Sequence, residues 1–600
     1  MKSTLLSKLQ ILAPVVEKQP ITNGEDKEVG ASSEDQEISS DEETISPDAQ
    51  GGVRKIEATT KVWSTQHLIF AYVMIWIITF VDTMQQGMSN SFLPYVTSSF
   101  KHHSLTASTG IMSSIIGGLV KLPLAKVLDI WGRPQGFALM TFTLVIGLIM
   151  MAGCNNVQTY AAAQVFYWVG EKLISVASLV RYNGMSYTLG IFIADTSALK
   201  NRALMFAFIS SPYIATVWVG GPLATAFLNG PGFRWGYGAF SIITPIITFP
   251  LYAVFTWNYN KAKKAGLLPS RENNRTFAQS FKHYFYEFDV IGIILLAAGL
   301  ALFLLPFSLY SYQKDQWRSS MIISMIILGG LLIIAFALYE KYLAPVSFIP
   351  FNLLVDRTVL GACILAASLF VSFFIWDSFF PSFIQVVNNL TITEASYVAN
   401  IYSIGSCFWS VVVGILIRWS GRFKWLALYF GVPLTILGVG LMINFRQPGV
   451  NIGYIIMCQI FIAFAGGTLV ICEQMAVMAA TSHQYVAVVL AIEGMFASIG
   501  GAIGQTVAAA IWTGVFPKRL AEYLPEAEKA NATLIYGDLV VQKSYPVGSP
   551  ARNAISKAYG DGQKYMLIGG TAVLAISLVS TMVWRDIKVK DFKQVKGRVV

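Results

Sequence analysis

The sequence predicts an all-α membrane protein, and three observations support this prediction. Hydrophobic residues make up 54% of the 600 residues, whereas charged residues make up 13%. The mean hydropathy is +0.57. Apolar runs long enough to cross a hydrocarbon core of roughly 30 Å recur from His67 to Trp584. A soluble protein could not bury so many such runs, so the chain is expected to lie in a lipid bilayer.

The segment before the first apolar run, residues 1–66, is of a different kind. Residues 24–48 hold ten acidic residues, one lysine and five serines. Such a segment cannot bury a core, and residues 1–66 contain no pattern of a cleaved secretory signal. We expect a disordered acidic cytosolic tail.

Fourteen apolar runs follow the tail, and each predicts one membrane-spanning helix. They lie at residues 67–89, 107–127, 136–153, 161–194, 203–227, 235–257, 289–309, 320–339, 358–380, 396–417, 424–443, 452–473, 485–515 and 565–584. With a cytosolic N-terminus, 25 Lys and Arg fall in cytosolic segments and 5 in short outer loops. This distribution satisfies the positive-inside rule, and it puts both termini in the cytosol.

Two predicted outer segments carry Asn-x-Thr sequons, at Asn389 and Asn531. Both are therefore candidate glycosylation sites, since the acceptor must face the lumen during synthesis. The outer segment 516–563 is far longer than the other outer loops.

Two predicted cytosolic turns share a Gly-Arg sequence. The first contains Asp129, Gly132 and Arg133, and the second contains Gly421 and Arg422. Their spacing resembles the GxxxDxxGR signature of the major facilitator superfamily, although Arg418 stands where the second copy would have Asp. We interpret them as a conformational switch whose charge contacts form in one state and break in another. The alternative is a tight turn with a solvated salt bridge.

Four carboxylates lie in or at the edge of apolar runs: Asp82, Asp377, Glu473 and Glu493. A charge at the bilayer centre costs roughly 3 kcal/mol, so such residues usually face a cavity and mark an ion path. They are the proton-coupling candidates, and the alternative is that each is hydrated at a helix end. By contrast, the sequence places Asp195 and Lys200 beyond the membrane, in water.

Glycines in two spans predict close helix packing. Gly220, Gly221 and Pro222 lie in the middle of span 5, where they predict close approach and a kink, and Gly500 and Gly504 form a small-residue face in span 13. Drug/proton antiporters of the superfamily have a longer Gly-rich pattern in span 5, which weighs against export.

Several kinds of site have no pattern in this sequence. The five cysteines are isolated, so neither a disulfide framework nor a metal site is predicted. No phosphate-binding GxxxxGK[ST] loop and no catalytic cluster appears, so we expect neither ATP as the driver nor an enzyme. The basic net charge of +10 reflects the membrane topology, not a nucleic-acid partner.

Three longer segments carry a more specific resemblance: residues 81–96, VDTMQQGMSNSFLPYV; residues 182–196, YNGMSYTLGIFIADT; and residues 375–387, IWDSFFPSFIQVV. These segments resemble the fungal siderophore-iron transporters of the major facilitator superfamily. The resemblance implies a monomeric carrier with fourteen spans that imports ferric hydroxamate siderophores with protons. It also implies a plasma or endosomal vesicle membrane, with no cofactor except the iron carried in the substrate.

The resemblance also implies an organisation into domains and a set of substrate-binding candidates. Two pseudo-symmetric halves, 67–257 and 358–584, flank a linker with two extra helices at 258–357, and a cytosolic tail follows at 585–600. The last outer loop contributes to substrate capture in this family, and its tyrosines here are Tyr523, Tyr536, Tyr545 and Tyr559, with Tyr565 at its end. The binding candidates are Tyr559 and Tyr565, closest to the membrane mouth, together with Gln85, Trp376 and Gln385.

Two other functions share parts of this pattern. A fourteen-span drug or toxin/proton antiporter has the same architecture but a fuller Gly-rich span 5. A receptor that binds without carrying would be expected to have a longer cytosolic signalling domain.

The fourth apolar run is too long for one span. Residues 161–194 would extend about 51 Å as a helix, and they contain Glu171, Lys172 and Arg181. Removing residues 171–181 leaves a normal uncharged span. Either these residues are a retained intron or gene-model error, or they are a real insertion, accommodated as a bulge or as a lengthened helix that displaces one end of span 4. Sequencing the mature transcript decides between the two.

Overall fold

The computed structural model describes residues 62–99, 132–154, 184–267, 277–310, 313–345, 351–482 and 485–591, with single residues at 59, 115, 118–119, 123–124, 127–128 and 163. All the elements named here are helical. In chain order they are α1 Thr65–Ser99, α2 Arg133–Ala152, α3 Gly184–Thr196, α4 Leu199–Ser210, α5 Pro212–Asn229, α6 Phe233–Lys264, α7 Phe277–Glu287, α8 Val290–Leu304, α9 Pro306–Leu309, α10 Ser320–Tyr342, α11 Phe351–Leu354, α12 Arg357–Asp377, α13 Phe380–Val386, α14 Ile392–Ser420, α15 Lys424–Leu426, α16 Val432–Phe445, α17 Ile452–Ala479, α18 Val486–Tyr523, α19 Ala532–Gly537, α20 Leu539–Ser544 and α21 Pro550–Met582.

Eleven candidate spans in the described part of the chain are long and apolar enough to cross a membrane, and a bent pair, Ala278–Glu287 with Val290–Leu304, would make a twelfth. Most of the predicted spans 107–127 and 161–194 falls outside the described residues, and so do residues 171–181 and Asp129. The total of fourteen spans therefore stays a prediction.

The long helices form two groups that meet along α14. In the first group α1 packs on α5 and α6, and α2 packs on α6; in the second, α12 packs on α18 and α21, and α14 packs on α17. Between the groups, α14 contacts both α4 and α5. The extra helices α8 and α10 pair with each other, and Tyr310 beside them shares a hydrogen bond of 2.7 Å with Thr513 on α18.

Close helix crossings occur where the sequence predicts small residues. A Cβ on Gly220 of α5 would lie 2.9 Å from Gly87 on α1, which confirms the predicted close approach. The predicted kink takes a different form, because Pro222 lies inside continuous α5 and the helix break comes earlier, at Ser211.

The tightest of these crossings gives a direct test of packing. A Cβ on Gly500 of α18 would lie 2.3 Å from the carbonyl oxygen of Ala367 on α12. We therefore expect Gly500→Ala to destabilise the protein by about 1–3 kcal/mol, since the backbones must separate. The measurement is thermal aggregation of detergent-solubilised protein. The matched control is Gly514→Ala in the same helix, where a Cβ meets no atom of the described residues within 4 Å. A similar loss there would contradict the packing explanation.

The predicted outer loop 516–563 is largely helical. Helix α18 continues to Tyr523 and α21 begins at Pro550, so the connection spans only residues 524–549. Within it lie a 3-10 turn at Glu526–Asn531 and the short helices α19 and α20. We call residues 524–549 the outer cap.

Candidate functional site

The carboxyl group of Asp82 lies in a polar layer between α1 and α5. Its side chain is buried and accepts a hydrogen bond of 3.3 Å from Gln86. Gln86 in turn accepts one of 3.1 Å from the hydroxyl group of Tyr213 on α5. The groups that donate these two hydrogen bonds, an amide and a hydroxyl, are neutral.

Gln85, a predicted binding residue on the same turn of α1, is also buried. Its side-chain amide donates to Ser89 at 2.9 Å. In this conformation the amide therefore already has a partner on its own helix.

Asp377 is the last residue of α12, where span 9 breaks before α13. It interacts electrostatically with Arg446, which is fully buried at the end of α16. Arg446 donates to the carbonyl oxygen of Trp376 at 2.9 Å, and its guanidinium carbon lies 4.1 Å from the ring centroid of Phe380. Within the described part of the chain, its Nε and Nη2 have no hydrogen-bond partner.

Sequence reasoning missed Arg446, because an arginine after an apolar run is typical of an outer loop. The one sequence feature that could have indicated a cation site is the group of aromatic residues after Asp377. These residues come close to the guanidinium group of Arg446 only in the folded protein. The break in span 9 is thus held by a buried cation that stacks on aromatic rings.

Trp376, another predicted binding residue, is buried and lines a small cavity among α12, α14, α16 and α17. The cavity has a volume of about 30 Å³, far below the roughly 300 Å³ that a drug-sized ligand requires. In this conformation Trp376 therefore has no room beside it for a large substrate.

Glu473 on α17 and Glu493 on α18 are brought together in the second group of helices. Both are buried, they interact electrostatically with each other, and both interact with the thiol of Cys363 on α12. Two adjacent buried carboxyl groups in a membrane protein are candidates for an ion path, as the sequence predicts for this pair.

The arginine of the first Gly-Arg turn forms a buried ion pair with Asp195, a residue that the sequence analysis placed in water. Arg133 contacts Asp195 with 2.8 Å between Nε and Oδ2, and both side chains are nearly inaccessible, at 4% and 2%. Arg133 also donates to the carbonyl oxygen of Leu128 at 2.9 Å. The expectation of a solvated Asp195 is wrong, because the last turn of α3 packs beside this turn; Lys200 is exposed as expected.

The backbone at Gly132 explains the glycine in this turn. Its φ of 114° is a conformation that residues with a side chain rarely adopt. The second turn has the same feature, with φ 71° at Gly421. There the ion pair is exposed, since Arg422 contacts Asp586 at 2.6 Å with side-chain exposures of 44% and 45%.

The outer cap is fastened to the second group of helices by buried hydrogen bonds. Arg552 donates to the carbonyl oxygens of Gln542 at 2.6 Å and Val386 at 3.1 Å. Lys543 donates to Gln385 at 3.3 Å, so this predicted binding residue contacts the cap.

Tyr559 does not present a free face at the mouth, contrary to the sequence expectation. It is 2% exposed, donates to Gln542 at 2.8 Å and packs on Trp512 and Phe516. Its hydroxyl group thus fastens the outer cap to α21. Tyr565 is 49% exposed and keeps an accessible face.

Two other tyrosines, one at the end of α18 and one in the outer cap, donate to carboxylates. Tyr523 donates to Asp561 and Tyr545 to Glu528, each at 2.7 Å. Hydrogen bonds from Asn531 and Tyr545 lower the pKa of Glu528. Asn531 and Asn389 are both exposed, as glycosylation sites must be.

Comparison with known proteins identifies the family. A family model described as Major Facilitator Superfamily matches residues 75–505. An Ajellomyces capsulatus protein called MFS siderochrome iron transporter 1 is 79% identical over 600 residues, covering 100% of each chain. The chain belongs to the siderochrome iron transporter family of the major facilitator superfamily.

An Aspergillus fumigatus protein called Siderochrome iron transporter 2 is 45% identical over 94% of this chain and 91% of its own length. The crystal structure of the human organic anion transporter MFSD10 (TETRAN) is similar with a TM-score of 0.49 and 12% identity, covering 84% of this chain and 98% of that one. Membership of this family confirms the predicted resemblance and the helical membrane fold, and it makes the chain a transporter and not an enzyme.

Proposed function

We propose that this protein imports ferric hydroxamate siderophores together with protons by alternating access. The observation that carries the proposal is the 79% identity, over the whole of both chains, to a protein named as a siderochrome iron transporter. Iron is then cargo, carried inside its siderophore, and the working unit is a monomer in the plasma membrane or in endosomal vesicles.

Proton coupling is supported by the buried carboxyl groups. Asp82 accepts a hydrogen bond from the neutral amide of Gln86, and Glu473 and Glu493 interact with each other. One proton that enters down about 100 mV supplies roughly 2.3 kcal/mol, and one pH unit adds about 1.4 kcal/mol. Together these energies suffice for several-hundred-fold accumulation.

Alternating access is supported by contacts between the two groups of helices. At the predicted cytosolic end a Cβ on Gly414 of α14 would lie 3.0 Å from the Cα of Leu204 on α4. At the outer end the rings of Trp218 on α5 and Tyr397 on α14 lie 5.0 Å apart. A carrier that rocks its halves about a central site must open these two ends in turn.

The test is growth on one iron source. In iron-starved cells that lack their own siderophore carriers, expression should restore growth on at least one hydroxamate siderophore supplied as sole iron source. Uptake of that radiolabelled ferric siderophore should increase as external pH falls. The empty vector is the control, and failure to restore growth across a broad siderophore panel would remove the import proposal.

Two carboxylates give a second prediction. Asp82→Asn and Asp377→Asn should lower proton-driven uptake by roughly tenfold or more, because an amide cannot exchange a proton, while siderophore binding at the cell surface persists. Initial uptake rates at several external pH values measure the effect. Asp315→Asn, at an exposed outer position, is the control. Wild-type rates at every pH would show that neither carboxylate is needed.

A further inference from the structure

The residues that follow the last long helix cross the predicted cytosolic end of the molecule. Helix α21 ends at Met582, and a short 3-10 turn forms at Val589–Asp591. We call residues 583–591 the C-terminal strap. Trp584 and Val589 in the strap are buried, so it is packed against the protein.

The strap is fastened to the second Gly-Arg turn. The backbone N–H of Val589 donates to the carbonyl oxygen of Gly421 at 2.8 Å, and Lys590 donates to that of Trp419. Asp586 contacts Arg422 at 2.6 Å. The strap therefore contacts the turn before its glycine, at Trp419, and after it, at Arg422.

Further contacts fix the strap to neighbouring helix ends. Lys424 donates to the carbonyl oxygens of Met582 at 3.0 Å and Trp584 at 2.5 Å. Arg585 contacts Asp356, the N-cap residue of α12, at 2.8 Å. All these partners belong to the second group of helices, so the strap is attached to that group.

The same strap also reaches the first group. Its 3-10 turn at Val589–Asp591 contacts α4. Helix α4 is where the two groups meet at the cytosolic end: its Leu204 packs against Gly414 of α14, and Arg202 lies 3.9 Å from the sulfur of Met478 on α17. We call this contact of α4 with α14 and α17 the inner seam. The strap therefore adds a further contact between the two groups at the inner seam.

The attachment of the strap is strongly unequal. Backbone and charged hydrogen bonds hold it to the second group, whereas its turn packs against α4 of the first. When the halves part, the weaker contact breaks, since interfaces in such transitions exchange discrete packing states.

We propose that the C-terminal strap is a cytosolic latch that stays with the C-terminal half, holds α4 while the inner seam is closed, and leaves α4 when the carrier opens inward. The inference rests on the alternating access of the proposed function. It also explains the second Gly-Arg turn, which lacks the Asp of the family signature: Asp586 of the strap supplies the acidic partner for Arg422. Asp586 and Lys590 are thus positioning residues for the turn.

The test compares two cross-links that differ only in what they join. Lys590→Cys is combined in turn with Lys200→Cys, Asn201→Cys and Leu204→Cys on α4, which links the strap to the other half. The control pair, Asp356→Cys with Arg585→Cys, links the strap to its own half. A flexible bis-methanethiosulfonate reagent joins the thiols and dithiothreitol releases them, and the five native cysteines are buried.

With at least one pair across the halves, cross-linking should reduce siderophore accumulation to the level of the empty vector while surface binding persists, and dithiothreitol should restore uptake. The Asp356→Cys/Arg585→Cys variant should take up siderophore at the same rate before and after its cross-link is made. Full uptake with the strap joined to α4, or no cross-link at any of the three positions, would overturn the latch.

A second readout needs no substrate. A Met478→Cys thiol at the seam is labelled with an impermeant maleimide in inside-out vesicles, after the strap cross-link has been made. Joining the strap to α4 should slow labelling severalfold, and the control cross-link should not. Equal labelling rates would overturn the latch even if siderophores proved not to be the substrate, whereas loss of uptake by every variant and the wild type would refute only the proposed function.

Discussion

Arg133→Ala is expected to remove most of the folded protein from the membrane. The substitution leaves the Asp195 carboxylate buried without the arginine that it contacts at 2.8 Å. Breaking a buried ion pair costs about 3 kcal/mol or more, out of a total stability of about 5–15 kcal/mol. Arg133→Lys should give an intermediate loss, because lysine cannot offer the two N–H groups that arginine directs at the carboxylate. Protein abundance in membranes and thermal aggregation in detergent measure the effect.

The second Gly-Arg turn provides the matched control. Arg422→Ala removes a half-exposed ion pair, for which the expected loss is about 0–1 kcal/mol. The double substitution Arg133→Met with Asp195→Leu should restore abundance only in part, because it removes both charges of the pair but also removes the carboxylate that interacts with the buried Arg202, and it should not restore transport. Equal abundance of Arg133→Ala and Arg422→Ala would show that the buried pair does not hold the cytosolic end together.

Glu473→Gln and Glu493→Gln are each expected to reduce proton-driven accumulation by roughly tenfold or more, with little loss of folded protein. Glutamine has the shape of a protonated glutamate, so folding is preserved, but it cannot release a proton. Because the two buried carboxyl groups interact with each other, the double substitution should be no more severe than either single one. Uptake driven by an imposed pH gradient measures this, alongside siderophore exchange without a gradient, which should persist.

The control for this pair is Glu526→Gln in the outer cap, where the side chain is 87% exposed. It should transport like the wild type. Full additivity of the two glutamine substitutions would indicate independent groups, and wild-type accumulation by both would exclude this pair from proton coupling.

The sequence was sufficient for those features that depend on local composition. Hydropathy identified the membrane helices, because crossing a lipid core requires a continuous apolar run. Glycines predicted the close crossings at Gly220 and Gly500, since only a missing side chain permits such contacts. The segments around Asp82 and Asp377 predicted the family to which the chain belongs.

Residue environments could not be predicted in the same way. Asp195 was expected in water but is buried against Arg133, and Tyr559 was expected at the mouth but anchors the outer cap. Arg446 resembled a loop cation but stacks on Phe380. In each case the partner lies in another helix, and one sequence read segment by segment contains no information about which helix faces which.

The sequence by itself therefore determined that the chain is a helical membrane carrier of this family, and which acidic residues interrupt its apolar runs. Only the tertiary structure decided that Glu473 and Glu493 act on each other, that Arg133 and Asp195 form a buried pair, and that the C-terminal strap joins α4. The physical reason is that apolarity is a property of each residue, whereas burial and charge pairing are properties of helices brought together from distant parts of the chain.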